Sequence, residues 1–159
     1  GARLEADIAG AESGDARGEG HAARARAGHA DAGADADAGA PTVLAAADGS
    51  GGVQILLVRH VDDWDDHRDG TVRVAIAGLV PGRAYRVSER RVDAANANAY
   101  ASWVAMGSPQ DPSPDERRRL EEAAALEPVE RSSATADEHG ALTVPVELAT
   151  HAICLLTLA

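Results

Sequence analysis

The densest cluster of chemically capable side chains is His60-Val61-Asp62-Asp63-Trp64-Asp65-Asp66-His67, four carboxylates and two imidazoles in eight residues. Oxygen-rich runs of this kind chelate hard cations when a turn brings the oxygens together. This run lacks the glycine and the spaced carbonyls of a calcium loop, and adjacent Asp residues on an extended chain point to opposite sides. It reads as a solvated acidic loop with Trp64 folded back as a plug. No metal ligand and no cofactor is assigned.

Other catalytic arrangements are absent. A retaining glycosidase needs two carboxyl groups about 5 Å apart on a rigid frame. Glu89 and Glu147 are the only Glu residues on clear strand patterns beyond the first forty residues, and each reads as outward-facing. Ser88, Ser102, Ser108, Ser113, Ser132 and Ser133 sit in no nucleophile-elbow sequence. His139 and His151 fall at turns. Cys154, the single cysteine, lies in the apolar run Ile153–Leu156 and reads as a small buried hydrophobe. No self-contained catalytic site emerges.

Large anchors are scarce. The chain has 2 Trp, 2 Tyr, 1 Met and no Phe. Tyr100, Trp103 and Met106 recur at helical spacing, and Gly107 follows at once. Trp64 and Trp103 could stack on sugar rings. The clustering of Trp103 with Tyr100 favours a core anchor that fastens a helix to the body of the domain.

The elements that position these groups are mostly strands. Val43–Ala47 and Val53–Arg59 flank Asp48-Gly49-Ser50-Gly51-Gly52, a hairpin signal. Thr71–Ala77 alternates strictly. A strand begins at Tyr85 and runs to about Asp93. Leu142–Leu148 alternates again, with Pro145 marking an edge or a bulge because it lacks a ladder donor. Ala149-Thr150-His151 turns the chain into the closing strand Ala152–Leu158. Asn98 caps a helix that Gly107 ends. Ser113, Pro114 and Glu116 form a capping box with proline at the first helical position, and Pro128 bars continuation.

The expected architecture is mainly β, an antiparallel β-sandwich over 42–159 with a helix–loop–helix insertion at about 97–126. Residues 1–9 supply a first strand, with Leu4, Ala6 and Ile8 on one face. Residues 10–41 are low-complexity and lack large apolar side chains, so a disordered loop is expected there. Its His21, His29 and Asp31 have no frame on which to hold a metal.

A length of 159 residues fits one domain with a tail. The net charge of -11 argues against nucleic acid, which requires clustered cations. All 15 basic residues are Arg, read here as compositional bias of the source genome. No apolar stretch approaches the roughly 18 residues of a membrane span, and no signal-peptide pattern is visible. Cytoplasmic location is the expectation for a bacterial protein of this kind. A first residue of Gly, not Met, suggests a fragment or a processed piece.

Several of these segments together resemble glycoside hydrolase family 39, the β-xylosidases and α-L-iduronidases. Gly52–Val58 followed by His60–Asp66 is similar to a post-barrel strand and loop of the family, and Gly1–Ile8 would be the strand just after the barrel. Tyr85-Arg86-Val87 through Arg91-Val92-Asp93, then Asn98-Ala99-Tyr100, Trp103 and Met106-Gly107-Ser108-Pro109-Gln110, resembles its helical segment. Pro112-Ser113-Pro114, Leu120 and Leu126-Glu127-Pro128 continue the likeness, and Leu142–Leu148 with Ile153–Leu156 resembles its last hairpin. The likeness covers about residues 43–159 and marks Trp64, Asn98, Tyr100, Trp103, Met106 and Gly107 as structural motif residues.

The resemblance implies a part of an enzyme. The family's (β/α)8 barrel carries two catalytic Glu residues, one in an Asn-Glu-Pro motif, and neither the motif nor the barrel is present. The implied role is a non-catalytic C-terminal sandwich of a retaining glycosidase, with the barrel as partner and homo-oligomer contacts through the sandwich or the insert. The family sandwich also borrows a strand from before the barrel, so an unpaired sheet edge is expected. The alternative is an autonomous carbohydrate-binding module, which would expose coplanar aromatics.

Overall fold

The computed structural model describes residues 4–6 and 24–29 as backbone, and 40–47, 51–63, 65 and 70–159 in full. Eleven strands and two helices occur among the described residues. The first strands are β1 (Leu4–Ala6), β2 (Arg24–His29), β3 (Thr42–Ala47), β4 (Val53–Arg59) and β5 (Thr71–Ala77). They are followed by β6 (Ala84–Tyr85), β7 (Val87–Val92), α1 (Ala99–Ala105) and α2 (Pro114–Ala123). The chain closes with β8 (Val129–Glu130), β9 (Ala134–Thr135), β10 (Leu142–Glu147) and β11 (Ala152–Leu158).

The strands form two main antiparallel sheets, ordered β1-β2-β5-β10 and β3-β4-β11-β7-β8, with β6 and β9 paired separately. Period-two alternation decides which residues face inward. In the first sheet Val72, Val74 and Ile76 of β5 and Val144 and Val146 of β10 are buried. In the second, Val53, Ile55 and Leu57 of β4 and Cys154, Leu156 and Leu158 of β11 are buried. These inner faces share one core, at about 1.5–3 kcal/mol for each large aliphatic side chain removed from water. This is the expected antiparallel sandwich with two helices inserted, and no barrel is present among the described residues.

Pro145 lies on β10, the last strand of its sheet, where a missing N–H is tolerated. Its carbonyl accepts a hydrogen bond from Arg131 Nη1 at 2.7 Å, which covers part of that edge. At the opposite end of the second sheet, β3 pairs only with β4 among the described residues.

Three features differ from the sequence expectation. Arg24–His29 was expected within a disordered loop, yet it forms β2 between β1 and β5. A ladder is made by backbone groups, and the register sets Ala25 and Ala27 opposite Ile76 and Val74, so no large side chain is required at those positions. The strand expected from Tyr85 to Asp93 is divided at Arg86, whose N–H and carbonyl pair with Ala159 at 2.9 and 3.0 Å. Tyr85 thereby belongs to β6, not to the large sheet. The two-residue strands β8 and β9 carry no sequence signal; Ala134 pairs with Tyr85 and Val129 with Glu89. Ile8, the turn residues Asp48, Gly49 and Ser50, and Trp64, Asp66 and His67 lie outside the described residues.

Candidate functional site

The helical insert is built by local capping. Asn98 accepts a hydrogen bond from the N–H of Ala101 at 3.1 Å and donates its own amide to the Ala94 carbonyl at 3.2 Å. Met106 closes α1, and Gly107 follows at φ +84°. A Cβ on Gly107 would meet nothing within 4 Å, so it is the left-handed backbone and not crowding that favours glycine there. Before α2, the Ser113 hydroxyl and the Glu116 carboxylate form the expected reciprocal box, with the Ser113 N–H donating to Glu116 at 2.7 Å. The backbone N–H of Ser113, then its hydroxyl, hold the Glu116 carboxyl below its ordinary range.

Tyr100 and Trp103 do share a face, with ring centroids 5.7 Å apart and tilted by 32°. They do not enter the sandwich core. Tyr100 is 70% exposed and α1 contains no buried residue. Trp103 is half-buried, and its indole N–H donates to the Pro109 carbonyl at 3.0 Å. The cluster therefore folds the insert onto itself, α1 against α2. This corrects the expectation that Trp103 anchors the insert to the core.

Among the described residues the aromatic anchor of the sandwich is Tyr85, 1% exposed. Its hydroxyl accepts from the Val80 N–H at 3.0 Å and the Arg83 guanidinium stands 4.8 Å from its ring centroid. The signal was present in the sequence: a tyrosine at an alternating position just after the Pro81-Gly82 turn.

Glu89 is also corrected. It is 6% exposed and faces inward between two guanidinium groups, Arg91 at 2.8 Å and Arg131 at 3.2 Å. A carboxylate held in this way has both oxygens committed and offers no open face to a substrate. Glu147 is exposed, as expected, and accepts from the Thr71 hydroxyl. The two carboxylates lie in different sheets.

Cys154 is fully buried, and desolvation, followed by the nearby charge of Glu89, pushes its thiol up to about 11. A thiol that stays protonated at neutral pH is a packing group, not a nucleophile.

In the acidic segment Asp62, Asp63 and Asp65 are exposed, and the Asp65 N–H donates to Asp63 Oδ1 at 3.0 Å. Trp64, Asp66 and His67 lie outside the described residues. No group of three His, Cys, Asp or Glu side chains placed to hold a metal occurs among the described residues. His60 and His151 do come together, with their Nδ1 atoms 3.2 Å apart. Nothing in the sequence spacing joins these two, because they meet only through strand pairing.

No protein-family model and no curated protein matches the chain. Solved structures do. The GH39 enzyme from Xanthomonas axonopodis pv. citri aligns with 73% of this chain at 22% identity and a TM-score of 0.59. The fold is that of a portion of GH39 enzymes. A bacterial orthologue of human α-L-iduronidase aligns with 76% of the chain at 21% identity and a TM-score of 0.63. A monomeric β-xylosidase from Caulobacter crescentus CB15 aligns with 73% at 23% identity and a TM-score of 0.59. The chain spans only 25%, 22% and 25% of these three proteins respectively. The likeness thus concerns a sandwich-sized part of much longer glycosidases.

Proposed function

We propose that this chain is the non-catalytic sandwich portion of a family 39 retaining glycosidase whose (β/α)8 barrel carries the chemistry. The observation that carries the reading is the shared fold over about three quarters of this chain and about a quarter of each glycosidase. A parent acting on β-xylosides is favoured by the Caulobacter β-xylosidase among the structural neighbours.

The surface supplies a place for the barrel. On the outer face of the five-stranded sheet, Leu44 lies opposite Leu56, which lies opposite Leu155. In the next row Val58 lies opposite Ile153, and Ile153 opposite Val92. Leu44, Ile153 and Val92 are exposed at 60%, 42% and 40%. Six aliphatic side chains side by side on a solvent-facing sheet suit a partner that covers them. The barrel is the occupant of choice because it makes up most of the chain length that the neighbours have and this chain lacks. A carbohydrate-binding module would instead display coplanar aromatics. Among the described residues Trp103 is half-buried and Tyr100 is the exposed ring.

The coding DNA upstream of Gly1 tests the reading. An in-frame barrel sequence containing an Asn-Glu-Pro motif is expected; an unrelated sequence ahead of a start codon close to Gly1 would refute it. The isolated chain is expected to leave an aryl β-xyloside intact, and turnover that persists through rigorous purification counts against the proposal.

A further inference from the structure

Alternation along β7 turns Val87 and Glu89 into the sandwich, both buried, and so places Arg90 on the outer face of the five-stranded sheet. There it extends an aliphatic row. Leu44 lies opposite Leu56, Leu56 opposite Leu155, and Leu155 opposite Arg90. The adjacent row of Val58, Ile153 and Val92 is aliphatic as well. Arg90 is therefore a cation on the border of the apolar patch.

Five arginines among the described residues are buried or half-buried: Arg59, Arg83, Arg90, Arg91 and Arg131. Four of them are engaged. Arg59 donates to the Leu148 carbonyl, Arg83 stands over the Tyr85 ring, and Arg91 and Arg131 hold Glu89. Arg90 takes part in no hydrogen bond, ion pair or ring contact among the described residues. Glu130, opposite Ser88 and so diagonal to Arg90, makes no ion pair with it. Covering the patch strips water from this guanidinium, and a buried charge without a counter-charge is strongly destabilising. Arginine answers that need best with a carboxylate, through two parallel hydrogen bonds. A second copy of this chain would meet the need poorly. Among the described residues the outer face of the sheet offers Glu130, at its edge, as its carboxylate, so pairing face to face would bury two guanidinium groups over aliphatic side chains.

We propose that Arg90 is the polar anchor of the surface that the barrel covers, taking an Asp or Glu carboxylate of the barrel beside Leu155. The inference rests on the reading that a barrel occupies this face. The aliphatic rows supply contact area without direction, because apolar burial does not fix how one body is turned on another. A two-pronged ion pair at the border of the patch does fix it, and it excludes partners that bring no carboxylate to that position.

Variants of this chain and of the full-length protein encoded with the upstream DNA test it together. Arg90→Met and Arg90→Glu should leave the urea midpoint of this chain unchanged, because Arg90 bonds to nothing within it. In the full-length protein, scanning calorimetry should show Arg90→Glu lowering the melting temperature of the sandwich by about 5 °C or more. Arg90→Met should lower it less, and Glu130→Gln should be silent in both proteins. Equal losses in the two proteins, or a Glu130→Gln loss that matches Arg90→Met, would put the contact within the sandwich and overturn the proposal. A full-length Arg90→Glu protein that melts unchanged would overturn it too, and with a barrel present the family reading would still stand. An upstream sequence without a barrel removes both. A dimer of this chain, seen by sedimentation and broken by Arg90→Glu, would assign the face to a second copy and overturn the proposal as well.

Discussion

The Tyr85 hydroxyl accepts a hydrogen bond from the backbone N–H of Val80 at 3.0 Å, and this contact pins the Val80–Gly82 turn to the sandwich core. Tyr85 is 1% exposed while Trp103 is only half-buried. Tyr85→Phe should cost about 1 kcal/mol by removing the acceptor. Tyr85→Ala should cost about 3–5 kcal/mol by also opening a cavity. Trp103→Ala should cost clearly less than Tyr85→Ala, because it loosens the insert and leaves the core intact. Urea midpoints of the three variants check the order. A larger loss for Trp103→Ala would restore that residue as the main aromatic anchor.

The same turn depends on a glycine. The Leu79 N–H donates to the Gly140 carbonyl at 3.0 Å, and Gly140 has φ +72°. A Cβ at Gly140 would stand 2.2 Å from the Leu79 carbonyl oxygen, a backbone atom that cannot swing aside. Gly140→Ala therefore combines left-handed strain with a steric clash and should cost at least about 1–3 kcal/mol. At Gly82, also left-handed at φ +70°, a Cβ would meet nothing within 4 Å. Gly82→Ala should show the strain alone, so thermal denaturation should rank Gly140→Ala below it.

Which parts of this architecture can be read from sequence depends on the range of the interactions that set them. β5 and β10 announce themselves because alternate residues face a core, and the helix caps because Asn98 and Ser113 bond within three residues of themselves. Glu89 reads as outward-facing because Arg131, which makes its burial tolerable, is 42 residues away. β2 reads as unstructured because its ladder partners, Leu4–Ala6 and Thr71–Ala77, are remote and its own residues carry no apolar pattern. The His60–His151 pair is invisible for the same reason: the two are 91 residues apart and joined only by the β4–β11 register.

The charge cluster around Glu89 should behave as a unit. Arg91 and Arg131 each reach one of its oxygens, at 2.8 and 3.2 Å. Glu89→Gln leaves two partly buried guanidinium groups without their counter-charge and should cost about 3 kcal/mol. Glu147→Gln on the exposed side of β10 should stay within about 0.5 kcal/mol. Chemical denaturation distinguishes the two. Equal effects would show that Glu89 is effectively solvated.

The sealed core around Cys154 has a chemical readout. With the thiol fully buried and pushed up to about 11, alkylation by iodoacetamide at neutral pH should be negligible in the folded chain and rapid in denaturant. Because access requires unfolding, Glu89→Gln and Tyr85→Ala should accelerate labelling in proportion to the stability they lose. Fast labelling of the unmodified chain would mean that β11 opens independently of the rest.

Asp93 connects the sandwich to the insert and gives that connection an acid dependence. Burial pushes its carboxyl up, but the N–H of Ala95, the Asn96 amide, the Asn96 N–H and the Arg91 charge together bring it below the ordinary range. Because the folded-state value is depressed, the stabilisation is complete above the unfolded value of about 3.9 and is lost as pH falls through the folded one. Asp93→Asn should therefore be less stable than the unmodified chain at pH 7, by under about 1 kcal/mol because the site is partly solvated. The difference should shrink as pH drops below about 4. Urea midpoints measured from pH 7 to pH 3 should converge for the two proteins. A gap that stays constant across that range would show that the loop is held by the shape of the Asp93 side chain and not by its charge.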